Sequence, residues 1–266
     1  MATNSQSAGC LDLCPPVRNR YFYGKLLDVF HFELEQSYFN EKRWLLNRLV
    51  SGYGVVCGLG VQLGADKQSI VVLPGIAIDK CGREIIVCTQ SDPYPLPPPP
   101  QPPQSGSAPA VGASSSATAK DCCDGTYVHV LICFHECPSD PVPALGGDCD
   151  TQSLCSPGAI RERYKIELAD GKLSPPATTS RIQDVISGGL INYNALANYV
   201  TNPCPCPPSD CCIPLANIRI PDPGQTYDQS DIDISARPIV FTNDLLYELI
   251  LAVLNQGQSQ SRGRKL

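Results

Sequence analysis

The residues best suited to chemistry lie in the segment TYVHVLICFHEC (126–137), where histidines and cysteines recur at alternate positions. Residues two apart in a β-strand face the same side and lie about 6–7 Å apart. Cys133, His135 and Cys137 would therefore be neighbours on one face, and such side chains can close onto one Zn²⁺. The alternative is a strand edge with ordinary buried thiols.

The other cysteines supply further candidate ligands. The chain has fifteen cysteines, so any scheme of disulfides within the chain leaves at least one thiol unpaired. None of the clusters has the paired C-x-x-C spacing that identifies a zinc site. The sequence leaves three states of these cysteines as alternatives: ligands of a structural zinc, disulfides, or free thiols. The candidates outside the strand are Cys149, Cys155, Cys204, Cys206, Cys211 and Cys212, together with the adjacent pair Cys122 and Cys123.

No motif in the chain predicts catalysis. The glycines of GYGVVCGLGVQLG (52–64) follow a predicted helix and lie inside a predicted strand, whereas a dinucleotide fingerprint needs a strand, then glycines, then a helix. Paired acids such as Asp231 and Asp233 are typical of a solvated face. We therefore expect a protein that is not an enzyme, with no catalytic residue and no cofactor beyond a structural zinc.

Charge and hydropathy exclude several kinds of partner. The net charge of −6 and the pI of about 5.0 argue against a nucleic-acid surface, which needs a basic face. No apolar run reaches the ~18 residues that a membrane span needs. The N-terminal residues lack the charged and apolar regions of a signal peptide, so we expect synthesis and assembly in the cytoplasm, where thiols stay reduced.

The elements that would position these residues form an α+β fold, mainly antiparallel β in a meander or sandwich-like arrangement with Cys/Pro-rich loops. Within it, a bulge or kink is expected at Pro74-Gly75, since proline cannot donate to a central ladder. Strands are predicted at 54–63, 69–79, 83–89, 126–134, 161–168 and 213–220, with irregular Cys/Pro loops at 137–158 and 203–212. The segment 178–200 is predicted to form two short helices broken at Gly188-Gly189.

Composition divides the chain into five regions. The region 92–120 is first Pro-rich and then Ser/Ala/Gly-rich. It is expected to be a flexible loop that extends from one domain, the alternative being a linker between two domains. The regions are an extended N-terminal arm (1–19), a helix plus β-meander (20–91), the Pro/Ser-rich segment (92–120), a β-rich second half with Cys/Pro loops and a C-terminal helix (121–256), and a polar tail (257–266).

Two helices are predicted from apolar periodicity. The first is a long aromatic helix that begins at an Asp28 cap and stops near Gly52, with its stripe packed on the chain's own sheet. That stripe comprises Phe30, Leu34, Tyr38, Leu45 and Leu49. The second is a C-terminal amphipathic helix, capped by Thr242 or Asn243 and ending at Gly257.

Two segments resemble one group of proteins. The strings NRYFYGKLLDVFHFELEQSYFNEKRWLLNRLVSGYGVVCGLGVQL and VVLPGIAIDKCGREIIV (within 19–87) and ECPSDPVPALGGDC and CSPGAIRERYKIEL (within 136–168) are similar to proteins encoded among the tail and baseplate genes of phage-tail-like contractile injection systems. The resemblance implies a structural component in or attached to the baseplate region, present in several copies and in contact with other tail or baseplate subunits. It carries no active site.

Such a role would need aromatic contact surfaces, because rings supply contact area at little cost in conformational entropy. We therefore expect Tyr21, Phe22, Tyr23 and Trp44 to contact another subunit, the alternative being that these rings are internal core. Two other functions are open. One is a zinc- or disulfide-stabilised binding module that presents its Pro-rich loop to a partner, and the other is an enzyme with a cysteine or metal site.

Overall fold

The structure, a computed structural model, describes residues 15–100, 126–143, 155–177, 179–180, 182, 184–187 and 190–263. Within these ranges the chain is α+β, with mostly antiparallel sheets and three α-helices. The helices are α1 (Val29–Leu46), α2 (Tyr193–Val200) and α3 (Asn243–Gly263). The strands are β1 (Gly54–Gly58), β2 (Val61–Leu63), β3 (Ser69–Val72), β4 (Gly75–Ile78), β5 (Glu84–Val87), β6 (Tyr94–Pro95), β7 (Tyr127–Pro143), β8 (Cys155–Asp170), β9 (Ile186–Ser187), β10 (Leu190–Ile191), β11 (Ile213–Arg219) and β12 (Ile232–Asp233).

The first half is a bent meander. The predicted strand 54–63 is broken into β1 and β2. The predicted strand 69–79 is broken into β3 and β4 at Pro74, where a break was expected. The two halves of each run enter different three-stranded sheets, ordered β1-β4-β5 and β2-β3-β6. Gly58 pairs with Gly75 at the bend, where a Cβ on Gly58 would lie 2.1 Å from the Pro74 oxygen. The glycines therefore serve close strand packing.

The start of the Pro-rich region is part of the fold. Tyr94 pairs with Ile70 of β3, and the Leu96 side chain is buried in the core. The Tyr227 hydroxyl donates a 2.7 Å hydrogen bond to the Pro97 carbonyl. Flexibility from residue 92 onward was therefore the wrong expectation for 94–97, because an apolar leucine and a strand pairing hold these residues. Residues 101–120 of the predicted loop lie outside the described residues.

The second half is built on one sheet ordered β12-β11-β7-β8. β7 and β8 stay paired from Val128 and Asp170 out to Pro143 and Cys155. The strands predicted at 126–134 and 161–168 are thus too short, and the irregular loop predicted at 137–158 is wrong for its two ends, while residues 144–154 lie outside the described residues. Residues 137–143 and 155–158 instead continue the two strands.

One hydrophobic core draws on strands from both sides of residues 101–125. Its buried side chains include Leu59 and Ile70 from the first half and Ile132 and Ile213 from the second. Arg237 ties the two parts together, since its guanidinium donates to the Leu215 carbonyl at 3.0 Å and to the Leu59 carbonyl at 2.8 Å. Burial lowers the pKa of Arg237.

The helices differ from the periodicity-based expectation in two places. Ile186–Ser187 pairs antiparallel with Leu190–Ile191, so the first of the two short helices predicted in 178–200 is wrong and only α2 forms. The C-terminal helix α3 begins after a Thr242 side-chain cap and continues past Gly257 to Gly263. No helix among the described residues has both the length and the apolar character needed to cross a bilayer.

Candidate functional site

The aromatic residues that precede α1 lie on the surface. Tyr21 is 52% exposed, Phe22 63% and Tyr23 fully exposed. The Tyr21 hydroxyl donates a hydrogen bond to the Glu35 carboxylate of α1, and this bond raises the pKa of Tyr21. The rings of Tyr21, Phe22 and Tyr23 therefore form a surface that the described residues leave uncovered.

Helix α1 begins where the sequence indicated. The Asp28 carboxylate accepts the backbone N–H of His31 at 3.2 Å, and the His31 ring in turn contacts the backbone N–H of Asp28, which completes a capping box. The hydrogen bonds from the His31 side chain and backbone lower the pKa of Asp28. The role of His31 is thus a cap.

The surface of α1 is left unburied by the described part of the chain. None of its 18 residues is buried, and Phe30 is 64% exposed, so the expectation that its stripe packs on the chain's own sheet is wrong. At 100° per residue the large side chains occupy two opposite sides of the helix. One side carries Phe30, Leu34, Tyr38 and Leu45, and the other carries Phe32, Phe39 and Leu46. The helix therefore has two apolar sides that the described part of the chain leaves unburied.

The contacts of α1 with the sheet lie at its C-terminal end. The Asn47 amide donates to the Gly82 carbonyl at 2.9 Å and to the Glu84 carboxylate at 2.7 Å. Arg43 forms an ion pair with the same carboxylate at 3.2 Å. Trp44 is half-buried here, and its indole Nε1 is buried without a hydrogen-bond partner within the described ranges. We call this junction of residues 43–47 with the turn 79–84 the helix base.

The turn that receives the helix is fixed by a buried carboxylate. Asp79 has no solvent exposure and accepts hydrogen bonds from the backbone N–H groups of Cys81 and Arg83 at 2.9 and 2.8 Å. It also accepts the Arg83 Nε–H at 2.7 Å, and that guanidinium lies over the Phe134 ring. A buried acid that is satisfied in this way gives the helix base a rigid support.

The Cys/Pro segment 203–212 is attached to the same turn. The Lys80 backbone N–H donates to the Cys211 carbonyl at 3.2 Å, and the Arg48 guanidinium donates to the Pro205 carbonyl. Cys81 and Cys211 form a disulfide with a Cα–Cα distance of 5.6 Å. Sequence reasoning missed Cys81, whose one signal was its place in the tight turn between two predicted strands. The segment therefore clamps the helix base.

The predicted Cys133, His135 and Cys137 do share the alternating face of β7, but the structure does not bring them together as ligands. Cys133 forms a disulfide with Cys212 at a Cα–Cα distance of 4.4 Å. The pairing of Ile213 with Ile132 explains this, since one step further places Cys212 directly opposite Cys133. His135 and Cys137 lie further along the hairpin, opposite Arg163 and Arg161.

The structure also separates most of the remaining predicted ligands. Cys155 lies opposite Pro143, six residue pairs beyond Cys137, which is about 20 Å along the hairpin. Cys137, Cys155 and Cys204 are free thiols, and Cys206 is disulfide-bonded. Cys149, Cys122 and Cys123 lie outside the described residues.

One group of metal-ligating types is close together in the described part of the chain. The sulfurs of Cys133 and Cys212 and a carboxylate oxygen of Glu167 all lie within 4.8 Å of one another. Glu167 was not a predicted ligand, and only the β7–β8 register brings it to the two cysteines. The Lys165 ammonium pairs with Glu167 at 2.8 Å.

The helix base gives a testable prediction for Gly82. Its φ is +92°, and a Cβ there would lie 2.1 Å from the Trp44 carbonyl oxygen. We expect Gly82→Ala to lower the free energy of unfolding by about 3 kcal/mol, since it adds backbone strain and pushes the helix off the turn. Urea denaturation measures the loss, and the fluorescence of Trp44, the single tryptophan, reports the displaced base.

Gly171→Ala is the matched control. Its φ is +99°, but nothing lies within 4 Å of its Cβ position, so it carries the strain without the clash. It should cost about 1–2 kcal/mol and leave the Trp44 emission unchanged. Equal losses and equal emission in the two variants would contradict the close packing of Trp44 on Gly82.

The C-terminal helix α3 repeats the pattern seen in α1. Its large apolar side chains are exposed, including Ile250 at 58% and Val253 at 69%. The rest of the predicted apolar face is also exposed or only half-buried: Leu245, Leu246, Leu249 and Leu254. The candidate functional site is thus a set of uncovered apolar surfaces supported by a disulfide-clamped base.

No protein-family model matches the chain, and no curated protein matches it.

Proposed function

We propose that the chain is a non-enzymatic structural subunit of a phage-tail-like contractile injection system, in or attached to its baseplate region. It acts through contacts with other tail or baseplate subunits and is present in several copies per particle. It is made and assembled in the cytoplasm before it becomes part of the particle. The resemblance of residues 19–87 and 136–168 to such proteins is what suggests this setting.

The observation that carries the proposal is the exposure of α1. Most helical stability in proteins comes from the packing of an apolar face and not from intrinsic helix propensity. None of the residues of α1 is buried, although it carries four aromatic side chains besides Trp44. Large contiguous exposed apolar patches mark sites of protein contact. Neighbouring subunits on both sides of α1 would supply the missing packing.

Cosedimentation tests the proposal. Sheathed particles are separated from free protein on a density gradient, and the chain is detected with an antibody raised against the purified chain. The proposal expects the chain in the fractions that hold sheath and tube proteins, at a constant ratio to them. Recovery of the chain solely in the free-protein fractions, with intact particles elsewhere, would refute it.

A second candidate is a binding module that presents the Pro-rich segment to a partner. The observation that favours it is the pair of disulfides, Cys81–Cys211 and Cys133–Cys212, which staple the Cys/Pro segment to both halves of the fold. In the reduced chain, the thiolates of Cys133 and Cys212 and the Glu167 carboxylate would offer three ligands to a structural Zn²⁺.

Metal analysis separates the two states of this group. Purified reduced chain is dialysed against Zn²⁺ and then against buffer without metal, and bound zinc is measured by mass spectrometry. A structural site retains one zinc per chain, loses it in Cys133→Ser/Cys212→Ser, and has a lower Tm after chelation. Equal zinc in the wild type and the variant would exclude a site at these residues.

A further inference from the structure

The hairpin formed by β7 and β8 extends well beyond the sheet that carries it. β11 pairs with β7 only as far as Ile132, whereas β7 and β8 remain paired out to Pro143 and Cys155. We define residues 133–143 and 155–165 as the hairpin arm, whose length is about 35 Å. A two-stranded hairpin is marginally stable on its own in water. Phe134 and Tyr164 at the start of the arm pack against the core, whereas the residues beyond them are left without such support among the described residues.

One face of the arm is acidic. Glu136 and Glu162 are directly opposite each other and are both exposed. Like charges in such a cross-strand pair are destabilising. Among the described residues, no ion pair reaches either carboxylate, while Ile160 on the same face is 66% exposed. This face presents two uncompensated negative charges beside an apolar side chain.

The opposite face is basic. His135 lies directly opposite Arg163, and Arg161 and Lys165 are the next residues of β8 on that side. Arg161 pairs with Asp140 at 3.0 Å and Lys165 pairs with Glu167 at 2.8 Å. Arg163 and His135 are exposed and have no acidic partner within the described ranges. The second face thus carries positive charge, which is complementary to the negative charge of the first face.

We propose that the hairpin arms of neighbouring copies of this chain stack face to face, the acidic face of one on the basic face of the next. Stacked sheets lie about 10 Å apart, a gap that glutamate and arginine side chains bridge. Because the two contacting faces differ, the contact is head-to-tail and builds a ring or an open stack. Charge complementarity of this kind selects the partner and fixes the register.

The proposal deepens the proposed structural role, on which it rests for its setting, but it is measured on the purified chain. Two variants reverse one face each. Glu136→Lys/Glu162→Lys makes both faces basic, and Arg161→Glu/Arg163→Glu makes both faces acidic. Asp170→Lys/Asp222→Lys adds the same charge as the first variant at two exposed positions outside the arm. Sedimentation velocity at low salt, over a range of concentrations, gives the association constant of each, and circular dichroism confirms folding.

We expect the wild type and the control to self-associate, each face variant alone to associate about tenfold or more weakly, and an equimolar mixture of the two face variants to regain association. Regained association requires that unlike faces meet between copies. Wild-type chain that stays monomeric, face variants that associate like the wild type, or a mixture that does not recover would each overturn the proposal. So would dissociation of the wild type by a chelator, since this would assign the glutamate pair to a divalent cation. A chain that stacks but is absent from sheathed particles would refute the proposed function alone.

Discussion

Replacing Tyr21 and Phe22 with alanine is expected to lower incorporation into sheathed particles at least about tenfold, while the free energy of unfolding changes by less than about 0.5 kcal/mol. The rings are 52% and 63% exposed, so their truncation removes little intramolecular packing. Buried at a subunit contact, an aromatic anchor typically contributes about 2 kcal/mol or more. Quantitative immunoblotting of gradient fractions and urea denaturation of the purified chain measure the two effects.

Tyr193→Ala is the matched control for the loss of an exposed ring. Tyr193 is 78% exposed on α2, and its loss should leave both incorporation and stability unchanged. A fall of several kcal/mol in the stability of the Tyr21→Ala/Phe22→Ala variant, with normal incorporation, would show that the two rings stabilise the fold and make no contact with a neighbour.

Removal of the Cys81–Cys211 disulfide is expected to have the largest effect on stability. The bond closes a sequence separation of 130 residues, and the entropy of so large a loop corresponds to about 4–5 kcal/mol. The variant Cys81→Ser/Cys211→Ser should lose that much free energy of unfolding relative to the oxidised wild type. Its helix base should also loosen, which the Trp44 fluorescence would report.

Cys57→Ser is the control for the loss of a thiol, because Cys57 is a free and exposed cysteine. It should match the wild type with or without a reducing agent. The wild type should lose stability on reduction, and the double variant should respond less to the same treatment, since only the other disulfides are left to reduce. Identical unfolding curves for the oxidised wild type and the double variant would contradict the clamp.

The sequence predicted the bend of the meander because its signal is local. Pro74 cannot donate to a ladder and the apolar positions change parity beside it, so a break had to occur there. The Asp28 cap had an equally local signal in its side chain and in His31 three residues later. Features that depend on a few neighbouring residues could therefore be predicted from the sequence.

The hairpin arm and the disulfides could not be predicted from the sequence, because they depend on residues that are far apart along the chain. Pro138, Pro141 and Pro143 indicated a loop, but they lie in a stretch of β7 that is paired along one edge alone among the described residues, and proline is tolerated in edge strands. The partners of Cys211 and Cys212 depend on the register of β11 against β7 and on the approach of the turn at Cys81. Spacing along the sequence carries no such information.

The surface of α1 shows where periodicity misleads. Apolar residues at helical spacing predicted a stripe packed on the chain's own sheet. The same spacing is equally compatible with a helix whose apolar side chains remain exposed on the single chain. Rings on two opposite sides, such as Phe30 and Phe39, are the sequence feature that distinguishes the two cases. The apolar side chains of α1 lie on two sides of the helix, and the described part of the chain buries neither side.

A cryo-electron microscopy map of the parent particle tests most directly whether this chain works by contact with fellow subunits. We predict density for several copies in or beside the baseplate, with both apolar sides of α1 covered by neighbouring chains. A map of intact particles without this chain, or with α1 still facing solvent in every copy, would contradict that claim.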